Sequence, residues 1–225
     1  MSKRTAPGRT EVVFILDRSG SMRGLEADTI GGFNSNLEKM RAESGSLTVT
    51  TVLFNDRYTL LHNRLDLDAV KPLTCEDYWV RGSTALLDAI GRSIKKTAKG
   101  QRALAKKKRA DKVIFIIITD GFENSSRKYR ADQVKEMVKR ARDKDGWEFI
   151  FIGANMNAIA AAADYGIDAY RAAPCVADGA GSAMAYAAAG RAVSAVRARG
   201  SIPADWAAEL DADVAYRSPE HAARR

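Results

Sequence analysis

The sequence predicts an α/β fold in which helices cover both faces of a doubly wound, mostly parallel sheet. Two short apolar runs are continuous and rich in β-branched side chains: residues 12–16 (VVFIL) and residues 113–119 (VIFIIIT). Such runs are typical of central strands that are buried on both faces. Segments with helical periodicity lie between the strand-like runs. This alternation of strand and helix is the pattern of a doubly wound sheet.

The remaining strands are predicted on similar grounds. Residues 147–152 (WEFIFI) end at Gly153 and resemble the two central runs. Residues 47–54 (LTVTTVLF) alternate more, and residues 58–62 (YTLLH) follow them after a gap of turn length. This pair predicts a hairpin, which places one antiparallel strand at the edge of the sheet.

Three helices are predicted between the strands, because apolar side chains recur there at helical spacing. Gly31 and Gly32 weaken the first helix in its middle. The second helix can continue past Gly100 into a basic segment. The three predicted helices cover residues 25–40, 86–94 and 131–142.

The C-terminal part is rich in alanine between residues 154 and 198. This stretch predicts two close-packed helices around a short strand near residues 169–171. Further on, Trp206, Leu210 and Val214 recur at helical spacing, which predicts a short helix that docks on the body. The predicted organisation is a flexible N-terminus over residues 1–10, one α/β domain over residues 11–200, and a C-terminal helical extension and tail over residues 201–225, with residues 218–225 loose.

Composition restricts the class of protein. The chain has 225 residues, of which 46% are hydrophobic and 28% are charged, as in globular proteins. It has no run of roughly 18 apolar residues that could span a bilayer, and its first ten residues lack the apolar centre of a signal peptide. The lone Cys75 and Cys175 have no Cys or His neighbour at metal-ligand spacing. We therefore predict a cytoplasmic protein with reduced thiols, without a zinc site and without membrane contact.

The net charge of +8 comes from one segment. Of 36 basic and 28 acidic residues, ten basic and one acidic lie between Arg92 and Lys112, which leaves 26 basic and 27 acidic elsewhere. A solvated helix end and loop is the simpler explanation, and nucleic acid or another anionic partner is the alternative. The segment contains no Phe, Tyr or Trp, so only a salt-sensitive contact with phosphates is expected. The candidates for that contact are Lys106, Lys107, Lys108 and Arg109.

Side-chain oxygens follow the two central strands at the point where each strand ends. Asp17, Ser19 and Ser21 alternate directly after the first run, and Asp120 follows the second. In an open α/β sheet, ligands bind outside the carboxyl ends of the strands, where the strand order reverses. If the two strands are neighbours, the two acids can share one ion. A set of oxygen ligands is what a hard divalent cation prefers.

A third loop, Gly82-Ser-Thr-Ala85, offers a further hydroxyl from Thr84 or Ser83. The loop opens the second predicted helix, so the same residues could instead act as helix N-caps. Each of these signals is weak alone. Their combination predicts a metal site at the carboxyl edge of the sheet.

The combined motifs resemble the metal-ion-dependent adhesion site of von Willebrand factor type A (vWA) domains, and the resemblance covers roughly residues 11–197. It implies a Rossmann-like, six-stranded sheet that is mostly parallel with one antiparallel edge strand. The sequence of the first loop, residues 16–26, is similar to that of intracellular bacterial or phage members. The resemblance also implies Mg²⁺ or Mn²⁺ bound by Asp17, Ser19, Ser21, Thr84 and Asp120.

The same resemblance implies a binding module rather than an enzyme. Two carboxylates at most neutralise a divalent cation, and the hydroxyls add no charge. An open position on the ion then attracts a carboxylate from outside. In this family the ion accepts an Asp or Glu from a partner protein. The candidate partner-binding residues are Arg18, Gly82, Ser83 and Glu123.

A metal-dependent phosphoryl transferase or hydrolase is the alternative. It would use Asp17 as nucleophile and Asp120 as metal ligand, and would need a further acid or a general base nearby. Glu123 is the one additional acid close in sequence, and the histidines, His62 and His221, lie on the edge hairpin and in the tail. The chain contains no Gly-x-Gly-x-x-Gly motif and no phosphate-binding P-loop. We therefore predict that the protein is not an enzyme.

Overall fold

The computed structural model of the chain describes residues 8–154 and 156–217, over which strands and helices alternate. The strands are β1 (Thr10–Asp17), β2 (Leu47–Phe54), β3 (Tyr58–Asp66), β4 (Lys112–Thr119), β5 (Glu148–Ala154) and β6 (Ala172–Cys175). The helices are α1 (Glu26–Arg41), α2 (Leu86–Ala103), α3 (Ala131–Asp145), α4 (Ala158–Asp164), α5 (Gly179–Arg199) and α6 (Ala208–Arg217).

The strands form one six-stranded sheet in the order β3-β2-β1-β4-β5-β6. β1 pairs in parallel with β2 on one side and with β4 on the other, and only β3 runs antiparallel. The chain first builds outward from β1 to β3 and then returns to add β4 on the opposite side of β1. The strand order therefore reverses between β1 and β4, where such sheets bind ligands. The predicted doubly wound sheet with one antiparallel edge strand is confirmed.

Each face of the sheet has its own apolar core. Alternate residues of β1 belong to different cores: Phe14 packs in the cluster with α1, α5 and α6, whereas Ile15 packs in the cluster with α2, α3 and α4. This alternation follows from the pleat of a strand, in which successive side chains point to opposite faces. Helices on both faces explain why the central strands have continuous apolar runs.

The short strand predicted near residues 169–171 is present slightly later: residues 169–171 form a 3-10 turn, and β6 begins at Ala172. The prediction that the two helices around it are packed together is wrong. The two helices do not pack against each other: Ala162 of α4 belongs to the core on one face of the sheet, and Ala188 and Ala192 of α5 belong to the core on the other. Alanine is small enough to pack against a helix or a sheet, so its abundance does not indicate which surface a helix covers.

The glycine pair in α1 has two different environments. A Cβ on Gly32 would lie 2.4 Å from Cδ2 of Tyr186 in α5, whereas a Cβ on Gly31 would have no neighbour within 4 Å. Gly32 therefore allows α1 and α5 to approach closely. This close packing compensates for the low helix propensity of glycine.

The segment after Gly200 packs on the same body, as predicted. Leu210 of α6 is fully buried, Val214 is half-buried, and Trp206 is buried just before the helix begins. The indole Nε1 of Trp206 donates a hydrogen bond to the carbonyl of Tyr170 at 2.9 Å. The predicted flexible N-terminus (up to residue 7), the loose C-terminal tail and His221 lie outside the described residues.

Two further findings concern the predicted class of protein. Cys75 is exposed and Cys175 is buried, and both are free thiols. Within the described ranges, no helix has both the length and the apolar character needed to cross a membrane.

Candidate metal centre

The two acids that were predicted to share an ion emerge side by side from the sheet. Asp17 is the last residue of β1, and Asp120 directly follows the last residue of β4. β1 and β4 are paired in parallel, with Leu16 opposite Ile118. Both acids therefore lie at the carboxyl edge of the sheet, at the point where the strand order reverses.

A series of short hydrogen bonds connects the first loop to Asp120. The backbone N–H of Ser19 donates to Oδ1 of Asp17 at 2.7 Å, and the hydroxyl oxygens of Ser19 and Ser21 lie 3.0 Å apart. The hydroxyl of Ser21 donates to Oδ1 of Asp120 at 2.6 Å. The alternation Asp-x-Ser-x-Ser thus turns the polar side chains of one loop toward the neighbouring strand end.

Thr84 joins this group from the loop before α2. Its side chain is buried, and its backbone N–H donates to Oδ1 of Asn124 at 2.8 Å. A Cβ on Gly121 would lie 2.9 Å from Oγ1 of Thr84, 3.0 Å from Oγ of Ser21 and 3.7 Å from Oγ of Ser19. Three hydroxyls therefore surround one small space, which stays open because residue 121 has no side chain. We call this space the hydroxyl cradle.

The helix-capping explanation for this loop does not fit the structure. The N-cap residue of α2 is Ala85, which has no side-chain cap. The N–H of Leu87, in the first turn, donates instead to Oε2 of Glu123 at 2.9 Å. The hydroxyl of Thr84 is therefore not used to cap α2 and lies at the cradle.

Burial raises the pKa of both carboxyls in the centre. Asp17 is 1% exposed, and its burial raises the pKa to about 6, against the effect of hydrogen bonds from Thr119 and Ser19. The negative charge of Asp120 raises the pKa of Asp17 further. Burial also raises the pKa of Asp120. No described cationic side chain contributes to either shift, so the two acids lack a protein counter-ion.

These residues fit a small divalent cation. Every group at the cradle is an oxygen donor, which suits Mg²⁺ or Mn²⁺ better than a softer metal. Among residues 8–154 and 156–217, no group of three or more His, Cys, Asp or Glu side chains is placed to hold a metal. The negative charge of the centre therefore comes from two carboxylates only, and uncharged hydroxyls make up the rest.

The structure corrects the prediction that Arg18 contacts a partner. Arg18 is only 4% exposed, and its Nη2 donates to the hydroxyl of Thr59 at 2.8 Å. Its guanidinium carbon lies 4.2 Å from the centre of the Trp79 ring, and that of Arg81 lies 4.4 Å from the same ring. Arg18 therefore holds the surrounding loops together and is not available at the surface.

Glu123 also has a different position from the one predicted. Its Oε2 accepts from the N–H of Leu87, and its Oε1 accepts from the N–H groups of Ser125 and Ser126 at 3.0 and 2.7 Å. The carboxylate therefore anchors the loop after β4 on the first turn of α2. The hydroxyl of Ser126 donates a fourth hydrogen bond, to Oε2 at 2.8 Å, so the carboxylate is unsuited to bind a partner or to act as a base.

The other two candidate partner-binding residues lie beside the cradle. Gly82 and Ser83 are exposed and directly precede Thr84. The carbonyl of Gly82 accepts from the N–H of Gly20 at 3.0 Å, which joins the second loop to the first. Gly82 has a φ of 75°, and a Cβ there would lie 2.5 Å from Oδ1 of Asp56, so glycine is required at this position.

The residues that hold Asp17 in place were not predicted from the sequence. The hydroxyl of Thr119 donates to Oδ2 of Asp17 at 2.5 Å, and the hydroxyl of Tyr78 donates to the main-chain carbonyl of Asp17. Thr119 could have been found, because it ends a central strand immediately before Asp120. Tyr78 gave no signal, since it lies in an irregular loop 61 residues away from Asp17.

Two exposed aromatic side chains near the centre were also missed. Phe122 is 63% exposed and lies two residues after Asp120, and Trp79 is 36% exposed and stacks with Arg18 of the first loop. Exposed aromatic side chains of this size are more frequent at protein contacts than on other surfaces. No local pattern distinguishes them in the sequence from buried aromatics.

The Lys106–Arg109 part of the basic segment lies at the opposite end of the sheet from the metal centre. Lys106–Lys108 form an exposed 3-10 turn, and Arg109 follows it. β4 begins at Lys112 and runs for eight residues to Thr119, which corresponds to a separation of about 25 Å. The Lys106–Arg109 cluster is therefore separate from the centre.

The fold and the site together define a class of protein. It is an α/β domain with a doubly wound sheet, and loops that bear hydroxyls and carboxylates form a candidate ion site where the strand order reverses. The family model of the von Willebrand factor type A domain matches residues 11–165, and the chain belongs to this family. Domains of this family commonly mediate metal-dependent protein interactions. No curated protein matches the chain in sequence.

Solved structures show the same fold. The chain is similar to the vWF domain of the type V pili tip protein Mfa5 from Porphyromonas gingivalis, with a TM-score of 0.59 and 12% identity over 88% of this chain and 99% of that chain. It is also similar to proximal thread matrix protein 1 from the mussel byssus (TM-score 0.55, 15% identity, 82% of this chain, 46% of that chain). A von Willebrand factor type A protein from Catenulispora acidiphila gives a TM-score of 0.54 at 11% identity, over 82% of this chain and 42% of that chain. The chain thus spans less than half the length of the last two proteins.

Proposed function

We propose that the protein is a metal-dependent protein-binding domain whose ion accepts a carboxylate from a partner protein. The observation that carries this proposal is the hydroxyl cradle beside Gly121, next to two buried acids without a protein counter-ion. The proposed ligands of Mg²⁺ or Mn²⁺ are Asp17, Ser19, Ser21, Thr84 and Asp120.

The proposed ligands are of two kinds, charged carboxylates and uncharged hydroxyls. Asp17 and Asp120 supply the negative charge, and the hydroxyls of Ser19, Ser21 and Thr84 add oxygen donors without adding charge. When bound, the cation would supply a Lewis-acidic position that attracts a carboxylate oxygen. Because the charge of the two acids does not exceed that of the ion, an incoming carboxylate is not repelled.

Water-proton relaxation with Mn²⁺ tests this proposal directly. Mn²⁺ bound at the centre with an open position is expected to relax bulk water protons strongly. A glycine-serine peptide with one glutamate should lower that relaxation saturably, because its carboxylate replaces water on the ion. The same peptide with glutamine should leave it unchanged, provided that both peptides are amidated at the C-terminus and so carry no other carboxylate. Asp120→Ala should remove the protein-bound Mn²⁺ signal, because this substitution removes one of only two charged ligands.

Two results would contradict the proposal. Equal effects of the glutamate and glutamine peptides would show that the ion does not select a carboxylate. Hydrolysis of p-nitrophenyl phosphate with Mn²⁺ that disappears in Asp17→Asn would instead support the phosphoryl-transfer alternative. We expect no such turnover, since neither Glu123 nor the buried His62, which contacts Thr51, is placed as a base at the centre.

The setting of this function is also a proposal. Two free thiols are typical of the cytoplasm, where cysteines stay reduced. The sequence of the first loop favours the bacterial or phage members of the family. The exposed Lys106–Arg109 cluster could make a secondary contact with nucleic acid. That contact would be ionic and would weaken steeply with salt.

A further inference from the structure

A groove of about 660 Å³ opens beside the metal centre. It lies between the turn that joins β2 to β3, the first two turns of α2, and the loop after β4. Gly82 and Ser83 line the groove, and the next residue is Thr84, whose hydroxyl borders the cradle. The groove and the proposed ion site therefore share one loop.

The groove carries an excess of positive charge. Four cationic side chains line it, those of Arg57, Arg92, Arg127 and Lys128, against the acids Asp56 and Asp88. Within the part of the chain that the structure describes, Arg57 approaches Asp56 only at 4.0 Å, and the other three cations form no ion pair.

Among the described residues, Asp88 forms no ion pair with these cations, and its carboxylate oxygens accept hydrogen bonds from the backbone instead. Its Oδ2 accepts from the N–H of Arg127 at 3.2 Å, and its Oδ1 accepts from the N–H groups of Lys128 and Tyr129 at 2.8 and 3.0 Å. These bonds fix the loop after β4 against α2. They place the two basic residues of the loop next to the turn of α2 that bears Arg92.

The distance from the cradle to this cationic cluster suits a short peptide. Arg92 lies six residues, or about 9 Å along the axis of α2, beyond the first helical residue Leu86, and Thr84 precedes Leu86 by two residues. An extended peptide covers roughly that distance in three or four residues. A chain whose carboxylate occupies the ion would therefore bring its third or fourth following residue to Arg92, Arg127 and Lys128.

We propose that this groove binds the partner segment next to the metal-bound residue and selects a second acidic side chain three or four positions away. This inference rests on the proposed function and specifies its partner as a segment with two spaced acids. Charge complementarity favours an acidic peptide. Base stacking by a single-stranded nucleic acid is disfavoured, because the guanidinium of Arg92 lies over the ring of Tyr58 in the groove, 4.2 Å from its centre.

Fluorescence anisotropy with labelled, C-terminally amidated glycine-serine peptides tests the groove. One peptide carries a single glutamate, a second carries two glutamates spaced by three residues, and a third has glutamine at the second position. In Mn²⁺, the two-glutamate peptide is expected to bind about tenfold more tightly than the other two, the gain expected from a charge-assisted contact with arginine. The variant Arg92→Gln/Arg127→Gln/Lys128→Gln should remove this advantage and retain the weaker, metal-dependent binding.

The matched control is Lys106→Gln/Lys107→Gln/Lys108→Gln, which removes the same amount of charge at the far end of the sheet. It should retain the tenfold advantage, and circular dichroism should show both triple variants folded. Loss of the advantage in the control, or its survival in the groove variant, would overturn the inference, as would the absence of any peptide binding.

Chelation separates this inference from the proposed function. If the two-glutamate peptide still binds in EDTA and its binding depends on the groove residues, the acid-binding groove is supported and the metal-bound carboxylate is not. If binding requires Mn²⁺ but the peptides with one and with two glutamates bind equally, the metal-bound carboxylate is supported and the acid-binding groove is not. Single-stranded DNA could also displace the labelled peptide at the concentration at which the unlabelled two-glutamate peptide does. If that displacement requires Arg92, Arg127 and Lys128, the groove would be reassigned to phosphate binding.

Discussion

Replacing Asp17 with asparagine is expected to stabilise the metal-free protein and to abolish its stabilisation by metal. In the absence of metal, two buried carboxyls lie close together without a counter-ion, and the pKa of Asp17 is raised to about 6. Keeping this group ionised at pH 7.5 costs about 3 kcal/mol of folding free energy. Asparagine avoids that cost, and its amide can still bond to the N–H of Ser19 and the hydroxyl of Thr119.

The stability of the metal-free protein should also depend on pH in a defined direction. Between the ordinary pKa of 3.8 and the raised value of about 6, the folded state holds more protons than the unfolded state. The free energy of unfolding therefore falls as pH rises through this window, and it stays low above it. The raised pKa of Asp120 acts in the same direction. Asp17→Asn should lose most of this slope.

Urea unfolding in EDTA and in MnCl₂ measures both effects. At a metal concentration about a hundredfold above the dissociation constant, the unsubstituted protein should gain about 2.7 kcal/mol, and Asp17→Asn should gain nothing. The advantage of Asp17→Asn should therefore shrink from about 3 kcal/mol in EDTA to nearly zero in metal. Asp211→Asn, at an exposed position of α6, is the control and should behave like the unsubstituted protein. An equal response of Asp17→Asn to metal would rule out Asp17 as part of the site.

Gly121→Ala is expected to weaken metal binding strongly without removing any proposed ligand. The new Cβ would lie 2.9 Å from the hydroxyl of Thr84 and 3.0 Å from that of Ser21, distances at which the hydroxyls must turn away. Gly121 does not have a positive φ, so the backbone can accept alanine. We expect the dissociation constant for Mn²⁺, measured by electron spin resonance of the free ion, to rise by about 100-fold or more.

Gly31→Ala provides the matched control for this substitution. Its Cβ would have no neighbour within 4 Å, and alanine in place of glycine within a helix stabilises by up to about 1 kcal/mol. Its affinity for Mn²⁺ should therefore equal that of the unsubstituted protein. Unchanged Mn²⁺ affinity in Gly121→Ala would show that the hydroxyl cradle is not where the metal binds.

Much of the sheet was predictable because its signals are local. Continuous β-branched runs identify β1 and β4, and the alternating run before a short turn identifies the β2–β3 hairpin. The rule that parallel strands present their carboxyl ends at one edge then brings Asp17 and Asp120 to the same side of the sheet. From the sequence, the two acids could be predicted to lie close together only if β1 and β4 were neighbours. That condition could not be checked, because the order of strands depends on long-range pairing.

The wrong predictions concern residues whose type does not reveal which way the side chain points. Arg18 and Glu123 are charged and flank proposed ligands, which made both plausible partner contacts. In the structure Arg18 stacks on Trp79, and Glu123 caps α2 through the N–H of Leu87. The alanines of α4 and α5 were placed together for the same kind of reason, since a small apolar side chain fits either face of the sheet.

By itself, the sequence determined the α/β class, the central strands and the loops that carry the candidate ligands, because hydrophobic periodicity and the spacing of oxygen-bearing side chains are local properties. Only the tertiary structure decided that Ser21 and Asp120, 99 residues apart, share a hydrogen bond, and that residue 121 leaves space for three hydroxyls. It also decided that the cations of Arg92, Arg127 and Lys128 line one groove next to the loop that bears Thr84. Such relations depend on which distant backbone segments pack together, and no short stretch of sequence contains that information.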